Sequence, residues 1–251
     1  MANPLSLENR RYLITGAASG IGKAAAIYLS KLGCNLLLAD INEELLKLTC
    51  SQIRGSSMTC IDLTKTEQLK AGILSYVESN GKLNGFAHCA GLPYIAPLKA
   101  ITGEKFLNVF RVNTQAALEL SKIFANKKVY AGEHGSIVFI SSIYGIVGSA
   151  ANVGYAATKG AIQSMAKALA IELAPQKIRV NCIAPGFIKT EMSDKINHNF
   201  DADHSKHIES LHPLGWGSPD DIAADIAYLF SDMSKWVTGT IMRIDGGFTA
   251  Q

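Results

Sequence analysis

RYLITGAASGIG, residues 11–22, is the stretch around which the rest of the chain is arranged. Arg11–Thr15 is a short apolar strand that runs into a glycine-rich turn, and a helix of small residues follows from Ile21 to about Leu32. Gly16 would permit the tight turn, Gly20 the close approach of a pyrophosphate, and Gly22 close packing of the helix on a sheet. Because a helix N-terminus attracts anions, this stretch predicts a strand, turn and helix that bind a nucleotide. A plain turn and the glycine-rich loop of a methyltransferase are the alternatives.

The second strand, Asn35–Ala39, ends at Asp40, eighteen residues after Gly22. A carboxylate at this distance from the glycines is placed to accept hydrogen bonds from an adenosine ribose. Asp40 and Asn42 also precede a helix predicted over residues 43–53, so a helix N-cap is the competing interpretation of Asp40.

Strands alternate with helices along the whole chain. Further strands are predicted at Met58–Ile61, Gly85–His88, Ser136–Ser142, Lys177–Ile183 and Thr240–Ile244. This alternation is typical of an α/β, Rossmann-type doubly wound parallel sheet with helices on both faces. We expect seven strands in the order 3-2-1-4-5-6-7. No linker or repeat interrupts the 251 residues, so we expect residues 1–251 to form a single domain.

The composition excludes several classes of function. The net charge is +3, with Lys and Arg interleaved with Asp and Glu, which does not favour nucleic acid. There is no basic and apolar leader and no apolar run of about 18 residues, so we expect a cytoplasmic protein that does not bind a membrane. The five cysteines never form a Cys-x-x-Cys pair. The histidines at 198, 204, 207 and 212 lack matched acidic or Cys ligands, and we predict no metal site.

A tyrosine and a lysine begin a long predicted helix, residues 155–173. Tyr155 and Lys159 are four residues apart and therefore share a face of that helix. The ammonium would favour the phenolate and lower the tyrosine pKa from about 10. A pKa near 7 needs about 4 kcal/mol, more than one exposed ammonium supplies, so we expect a second positive charge or a dry pocket. A surface Tyr and Lys on an amphipathic helix is the alternative.

These features together resemble the short-chain dehydrogenase/reductase family. The resemblance rests on Ser142, Tyr155 and Lys159 at this spacing and on the glycine turn from Thr15 to Gly22, and it covers about Arg11 to Phe248. The chain is most similar to the branch that contains 3-oxoacyl-carrier-protein reductases and small alcohol, sugar and steroid dehydrogenases. Ser141 and Ser142 both end the fifth strand, and the thirteen-residue distance to Tyr155 selects Ser142.

The resemblance implies a role for each catalytic residue. Tyr155 exchanges a proton with the substrate oxygen, and Ser142 hydrogen-bonds that oxygen. Lys159 lowers the tyrosine pKa and holds the nicotinamide ribose, and oxidised nicotinamide supplies further positive charge. Asn113, within a helix predicted over 103–126, kinks that helix, and its carbonyl holds a water that leads to the lysine.

The resemblance also implies a nicotinamide dinucleotide site. Its contacts are Gly16, Ser19, Gly20, Ile21, Gly22, Asp40, Asp62, Leu63, Ala90, Gly91, Tyr155, Lys159, Pro185, Gly186, Ile188 and Thr190. Asp62 would lie near the adenine, or alternatively cap a helix at 65–79, with Thr64 as a competing cap. Cys89 replaces an Asn that usually stabilises the central sheet and cofactor loop, so that interaction is lost or supplied otherwise. Residues 190–217 are interpreted as a mobile lid over the substrate.

We expect NAD(H) to be preferred over NADP(H). A 2′-phosphate about 4 Å from the Asp40 carboxylate would be repelled by on the order of 4 kcal/mol, which is close to a thousandfold in affinity. The neighbouring positions that carry a compensating cation in NADP-binding relatives hold Ala17, Ala18, Ser19, Ile41 and Asn42.

The predicted reaction interconverts a small-molecule secondary alcohol and a ketone. One alternative is an NADPH-dependent 3-oxoacyl-carrier-protein reductase, with Lys127, Lys128 and Lys177 as a basic docking patch, although Pro175-Gln176 offers no arginine. The other is a non-catalytic nucleotide-binding member of the family, against which the intact Ser, Tyr, Lys and Asn argue.

One face of the helix at 155–173 is too apolar and too small-sided for solvent. It carries Ala157, Gly160, Ala161, Ser164, Ala168 and Ile171. We therefore expect two copies of the helix to meet across a two-fold axis as a homodimer, and the family resemblance implies a tetramer.

Overall fold

A seven-stranded parallel sheet lies at the centre of the protein, in a computed structural model that describes residues 5–197 and 202–251. The strand order is β3-β2-β1-β4-β5-β6-β7, which confirms the predicted Rossmann-type architecture and order. The strands are β1 (Arg11–Thr15), β2 (Asn35–Asp40), β3 (Ser56–Cys60), β4 (Gly85–His88), β5 (Gly135–Ile140), β6 (Ile178–Pro185) and β7 (Ile241–Ile244).

Helices cover both faces of this sheet. They are α1 (Gly20–Ser30), α2 (Glu43–Ser51), α3 (Thr66–Asn80), α4 (Gly103–Phe110), α5 (Ala116–Phe124), α6 (Val153–Leu173), α7 (Glu191–Asn197), α8 (Ala202–Ser210) and α9 (Pro219–Phe230). A π-helical turn, Arg111–Gln115, joins α4 to α5.

The core is divided by the sheet into two apolar clusters. Successive strand residues point to opposite faces, so Tyr12 and Ile14 of β1 enter one cluster and Leu13 enters the other. The first cluster packs against α1 and α9, where Tyr12 stacks on Phe230 with ring centroids 4.0 Å apart. The second packs against α3, α5 and α6. Burial of each large apolar side chain contributes about 1.5–3 kcal/mol, which fixes the helices on the sheet.

The parallel register brings the functional segments to one edge. Thr15, the last residue of β1, pairs with His88 at the end of β4, and His88 pairs with Phe139 near the end of β5. The turns that leave these strands therefore lie side by side. The order reverses between β1 and β4, and in such sheets ligands bind in the crevice at that point.

Several boundaries differ from the predicted ones. The helix predicted over 103–126 is divided by the π turn at Asn113, which agrees with the kink implied there. The segment that follows β6, predicted as irregular, contains α7 and α8. Short helices are difficult to recognise in a polar sequence because they bury little apolar surface. His198 lies outside the described residues.

Three further observations concern other classes of site. All five cysteines are free. Within residues 5–197 and 202–251, no group of three or more His, Cys, Asp or Glu side chains is arranged to hold a metal ion. Across the same residues, no helix has the length and apolar character needed to cross a membrane.

Candidate active site

Tyr155 and Lys159 lie one turn apart at the start of α6, beside the end of β5. The Lys159 ammonium is 5.5 Å from the centroid of the Tyr155 ring. Ser142 follows β5 and begins a short 3₁₀ turn, in which its hydroxyl accepts a hydrogen bond from the Tyr144 amide at 3.2 Å. The Ser142 side chain also lies close enough to the Tyr155 phenol to lower its pKa. The three predicted catalytic side chains are thus close together at the sheet edge.

Burial determines the protonation of this group. It raises the pKa of Tyr155 to about 12, although the Ser142 side chain opposes the shift. It lowers the pKa of Lys159 to about 8. We expected the Lys159 ammonium to act together with a second positive charge or a dry pocket. In this arrangement desolvation of the phenol is the largest influence on its pKa, and Lys159 Nζ donates to the Ile140 carbonyl at 2.8 Å. Lys159 is buried and Tyr155 is half-buried, and desolvation raises the tyrosine pKa instead of lowering it.

Ser141 and Gln163 hold the catalytic helix against β5. Ser141 Oγ donates to the Lys159 carbonyl at 2.9 Å, so its role is structural and Ser142 is the serine at the tyrosine. Gln163 Nε2 donates to Ser141 Oγ at 2.9 Å and to the Ser142 carbonyl at 3.1 Å. Sequence reasoning missed Gln163, although a glutamine one turn beyond Lys159 on the sheet-facing side of α6 was a usable signal.

Asn113 is fully buried in the π turn and links three segments. Its Oδ1 accepts from the Leu92 amide at 2.7 Å, and its Nδ2 donates to the Leu92 carbonyl at 3.0 Å and to Thr158 Oγ1 at 3.0 Å. The amide thereby ties the loop after β4 to the turn of α6 between Tyr155 and Lys159.

The glycine turn has no room for side chains. A Cβ on Gly22 would lie 2.2 Å from the Gly16 carbonyl oxygen, and one on Gly16 would lie 2.8 Å from Ala90. Gly16 and Gly20 both have positive φ, at 68° and 50°. The first turn of α1 consequently approaches the β4 loop closely, with Ser19 at its N-cap making no side-chain cap hydrogen bond.

Asp40 connects the glycine turn to the end of β2. Its two oxygens accept from the Ala18 amide at 3.0 Å and the Asn42 amide at 2.9 Å. Asn42, and not Asp40, caps α2 through a bond from the Leu45 amide. The competing interpretation of Asp40 as the helix cap is therefore wrong.

Asp62 forms a local turn with Thr64 and does not cap α3, whose N-cap is Lys65. Thr64 donates to Asp62 Oδ1 from both its amide and its hydroxyl, and these bonds hold the pKa of the Asp62 carboxyl below its usual value.

A cleft of about 440 Å³ runs along this edge. Eleven of the predicted cofactor contacts line it, namely Gly16, Ser19, Gly20, Ile21, Gly22, Asp40, Asp62, Leu63, Ala90, Gly91 and Thr190. Gly186 and Ile188 line a separate cavity of about 280 Å³, and Pro185, Tyr155 and Lys159 line neither.

The sequence and the fold both match known proteins over almost their whole length. A family model described as enoyl-(acyl carrier protein) reductase matches residues 16–249. The 3-oxoacyl-[acyl-carrier-protein] reductase FabG of Thermotoga maritima is 34% identical over 97% of this chain and 99% of its own. A tropinone reductase homolog of Arabidopsis thaliana is 34% identical over 97% and 94%.

The chain is a short-chain dehydrogenase/reductase.

Solved structures agree with this assignment. A short-chain type dehydrogenase/reductase from Mycobacterium marinum superposes with a TM-score of 0.91 at 28% identity, covering 98% of both chains. A gluconate 5-dehydrogenase from Burkholderia cenocepacia, in complex with NADP and tartrate, gives 0.92 at 28% identity over 99% and 98%. This protein is accordingly an oxidoreductase that acts on CH–OH groups with a nicotinamide cofactor.

The residues present fit such a cofactor in this short-chain dehydrogenase/reductase. Gly16 and Gly22 carry no side chains, so the backbone amides at the N-terminus of α1 are accessible and could donate hydrogen bonds to a pyrophosphate. Asp40 faces the same cleft from β2, at the place of an adenosine ribose.

The loop after β4 departs from the usual sequence at Cys89, and the structure shows how the loop is nevertheless held. The Ala90 amide donates to Thr15 Oγ1 at 3.3 Å, while Asn113 clamps Leu92. Burial raises the pKa of the Cys89 thiol to about 12, so it is uncharged. These two bonds hold the loop on both sides of Gly91.

His88, at the end of β4, is a further buried polar residue that sequence reasoning did not single out. Its Nδ1 lies 2.9 Å from Thr15 Oγ1, and its Nε2 faces the carbonyls of Val112 and Asn113 without a hydrogen bond of standard geometry. Burial, with a smaller contribution from the Lys159 charge, lowers the pKa of His88 to about 4. A histidine at the end of an otherwise apolar strand was the signal available.

We predict that His88 makes the protein sensitive to acid. The pKa of this histidine is 6.5 in the unfolded chain and about 4 in the folded one. Between these two pH values the unfolded chain binds more protons at His88 than the folded protein. The stability that is present above pH 6.5 is therefore lost as the pH falls toward about 4. Between pH 7 and 5 the wild-type protein should lose about 2 kcal/mol more unfolding free energy than His88→Asn, measured by urea denaturation. Equal losses in the two proteins would contradict the assignment.

Proposed function

We propose that this short-chain dehydrogenase/reductase interconverts a small secondary alcohol and a ketone, with NAD(H) as the preferred cofactor. The observation that carries the proposal is the grouping of Ser142, Tyr155 and Lys159 at the same edge of the sheet as a cleft that is lined by the Asp40 carboxylate.

In the proposed mechanism, Tyr155 transfers the proton to or from the substrate oxygen. Ser142 donates a hydrogen bond to that oxygen and stabilises the charge that develops on it. When bound, the nicotinamide supplies or accepts the hydride, and the positive charge of its oxidised form counters the effect of burial on Tyr155. Lys159 and the π turn at Asn113 support the tyrosine from within the fold.

The preference for NAD(H) rests on charge. Asp40 lines the cleft together with Ile41, and among the described residues that line the cleft none is Lys or Arg. A ribose 2′-hydroxyl can donate to the carboxylate, whereas a 2′-phosphate would meet a like charge. The NADP complex of the gluconate 5-dehydrogenase concerns that protein, and NADP(H) is the alternative for this one.

An NADPH-dependent 3-oxoacyl-carrier-protein reductase is the second candidate, and the curated relatives with that name favour it. The three lysines considered above as candidates for a docking patch lie away from the catalytic edge of the sheet. Lys127, Lys128 and Lys177 precede β5 and β6, at the amino ends of the strands. The eight residues of β6 separate Lys177 from the catalytic edge by about 26 Å.

A non-catalytic, nucleotide-binding family member is the remaining alternative. The grouping of Ser142, Tyr155 and Lys159 argues against it, and measurable turnover of any ketone would exclude it.

We also propose that residues 190–217 form a lid over the substrate. The two ends of the segment are held together by backbone hydrogen bonds. The Lys189 amide donates to the Gly217 carbonyl at 2.9 Å, and the Gly217 amide donates to the Phe187 carbonyl at 3.0 Å. Thr190 and Met192 line the cofactor cleft just beyond this anchor.

The five free cysteines suit a reducing compartment, and we propose a cytoplasmic location.

The first test of the mechanism is Tyr155→Phe, which removes only the phenol hydroxyl. Turnover of a ketone substrate should fall at least a hundredfold, while the cofactor dissociation constant changes little. Tyr144→Phe is the control, since it removes a neighbouring phenol that has no proposed role, and it should lower turnover less than tenfold. Activity of Tyr155→Phe within tenfold of wild type would refute the proton-transfer role.

Cofactor choice is tested with Asp40→Ala. Removing the carboxylate should raise the ratio of kcat/KM with NADP(H) to kcat/KM with NAD(H) by at least about tenfold. Asn42→Ala, which removes the cap of α2, should cost about 1 kcal/mol of stability and leave that ratio unchanged. A wild-type preference for NADPH would overturn the proposal and favour the carrier-protein reductase.

We propose finally that α6 pairs with its copy in a homodimer. The face that we singled out is solvent-accessible in one chain, with Ala157, Ser164 and Ala168 exposed and Ile171 77% exposed. Light scattering at micromolar concentration should give a mass of two or four times 26.9 kDa, and Ala168→Arg should reduce it to that of one chain. A wild-type mass near 26.9 kDa would refute pairing.

A further inference from the structure

The N-terminus of α1 receives a carboxylate from a distant part of the chain. The Gly20 amide donates to Glu191 Oε2 at 3.1 Å, although 171 residues separate the two. The first turn of α1 contains no acidic residue of its own, and Ser19 makes no side-chain cap hydrogen bond. Glu191 therefore supplies the negative charge that this helix end attracts.

The position of Glu191 is fixed by the start of α7. The Thr190 amide donates to Ser193 Oγ at 2.8 Å, and the Ser193 amide donates to Thr190 Oγ1 at 3.2 Å. This reciprocal pair holds the first turn of the helix, and the Thr190 methyl lies against Gly20. Glu191 and Met192 line the same cleft as the glycine turn. The carboxylate is thus directed at the glycine turn by local structure.

We propose that Glu191 competes with the cofactor pyrophosphate for the amides at the N-terminus of α1. The inference rests on the proposed placement of the dinucleotide in this cleft. A pyrophosphate seated on the Gly20 amide and a carboxylate on the same donor are like charges in contact, so binding must exchange one anion for the other. Glu191 lowers the affinity for dinucleotides and favours their release, a step that limits turnover in many enzymes.

The experiment compares Glu191→Gln with Asp194→Asn by titration with ADP. Asp194 is an exposed carboxylate one turn further along α7, so its variant removes the same charge without touching the Gly20 amide. ADP carries the pyrophosphate, and adenosine, measured by competition against ADP, carries none. Glu191→Gln should bind ADP about three- to tenfold more tightly than wild type, with adenosine unchanged. Asp194→Asn should differ from wild type by less than twofold in both titrations.

Other outcomes overturn the proposal in distinguishable ways. Unchanged or weaker ADP binding by Glu191→Gln would show that the carboxylate does not compete. Equal tightening by Asp194→Asn, or equal tightening of adenosine, would assign the effect to general charge or to the shape of the pocket. If ADP binds none of the three proteins while all remain folded by circular dichroism, the placement of the dinucleotide itself is wrong.

Discussion

The active site depends on one buried amide, the side chain of Asn113. It satisfies both the amide and the carbonyl of Leu92 and also reaches Thr158, so a single side chain sets the distance between the loop after β4 and the catalytic turn of α6. A buried polar group without partners costs about 1–3 kcal/mol, and here the partners of Asn113 belong to two other segments of the site. The π turn is needed for this, because it directs Asn113 out of the regular helical path.

Burial at the start of α6 shifts the pKa values of Tyr155 and Lys159 away from those that favour their charged forms. Desolvation favours the neutral forms of both Tyr155 and Lys159, and the Ile140 carbonyl draws the ammonium away from the phenol. Positive charge brought by an oxidised nicotinamide would oppose this effect on the tyrosine.

The sequence allowed most of the fold and much of the site to be predicted, because both depend on periodicity and on residues at strand ends. The alternation of strands and helices gave the sheet, and the spacing to Tyr155 selected Ser142. Gln163, His88 and Glu191 were missed, since each acts through a partner distant in sequence that no local pattern reveals. The position of the candidate docking lysines could not be predicted for a related reason: a charge count does not show at which edge of a sheet a lysine lies.

The two hydrogen bonds of Asp40 have a consequence for how this scaffold can change its cofactor class during evolution or in engineering. The carboxylate accepts hydrogen bonds from the Ala18 amide and the Asn42 amide, so the residue that we propose discriminates between cofactors also holds the glycine turn in place. Replacing it with an apolar side chain would free the ribose pocket and loosen the phosphate-binding loop together. Use of the phosphorylated cofactor could instead be reached in two steps. Asp40 would first be replaced by a small polar residue that still accepts these hydrogen bonds, and a Lys or Arg would then be introduced nearby. The glycine turn would stay intact at each step.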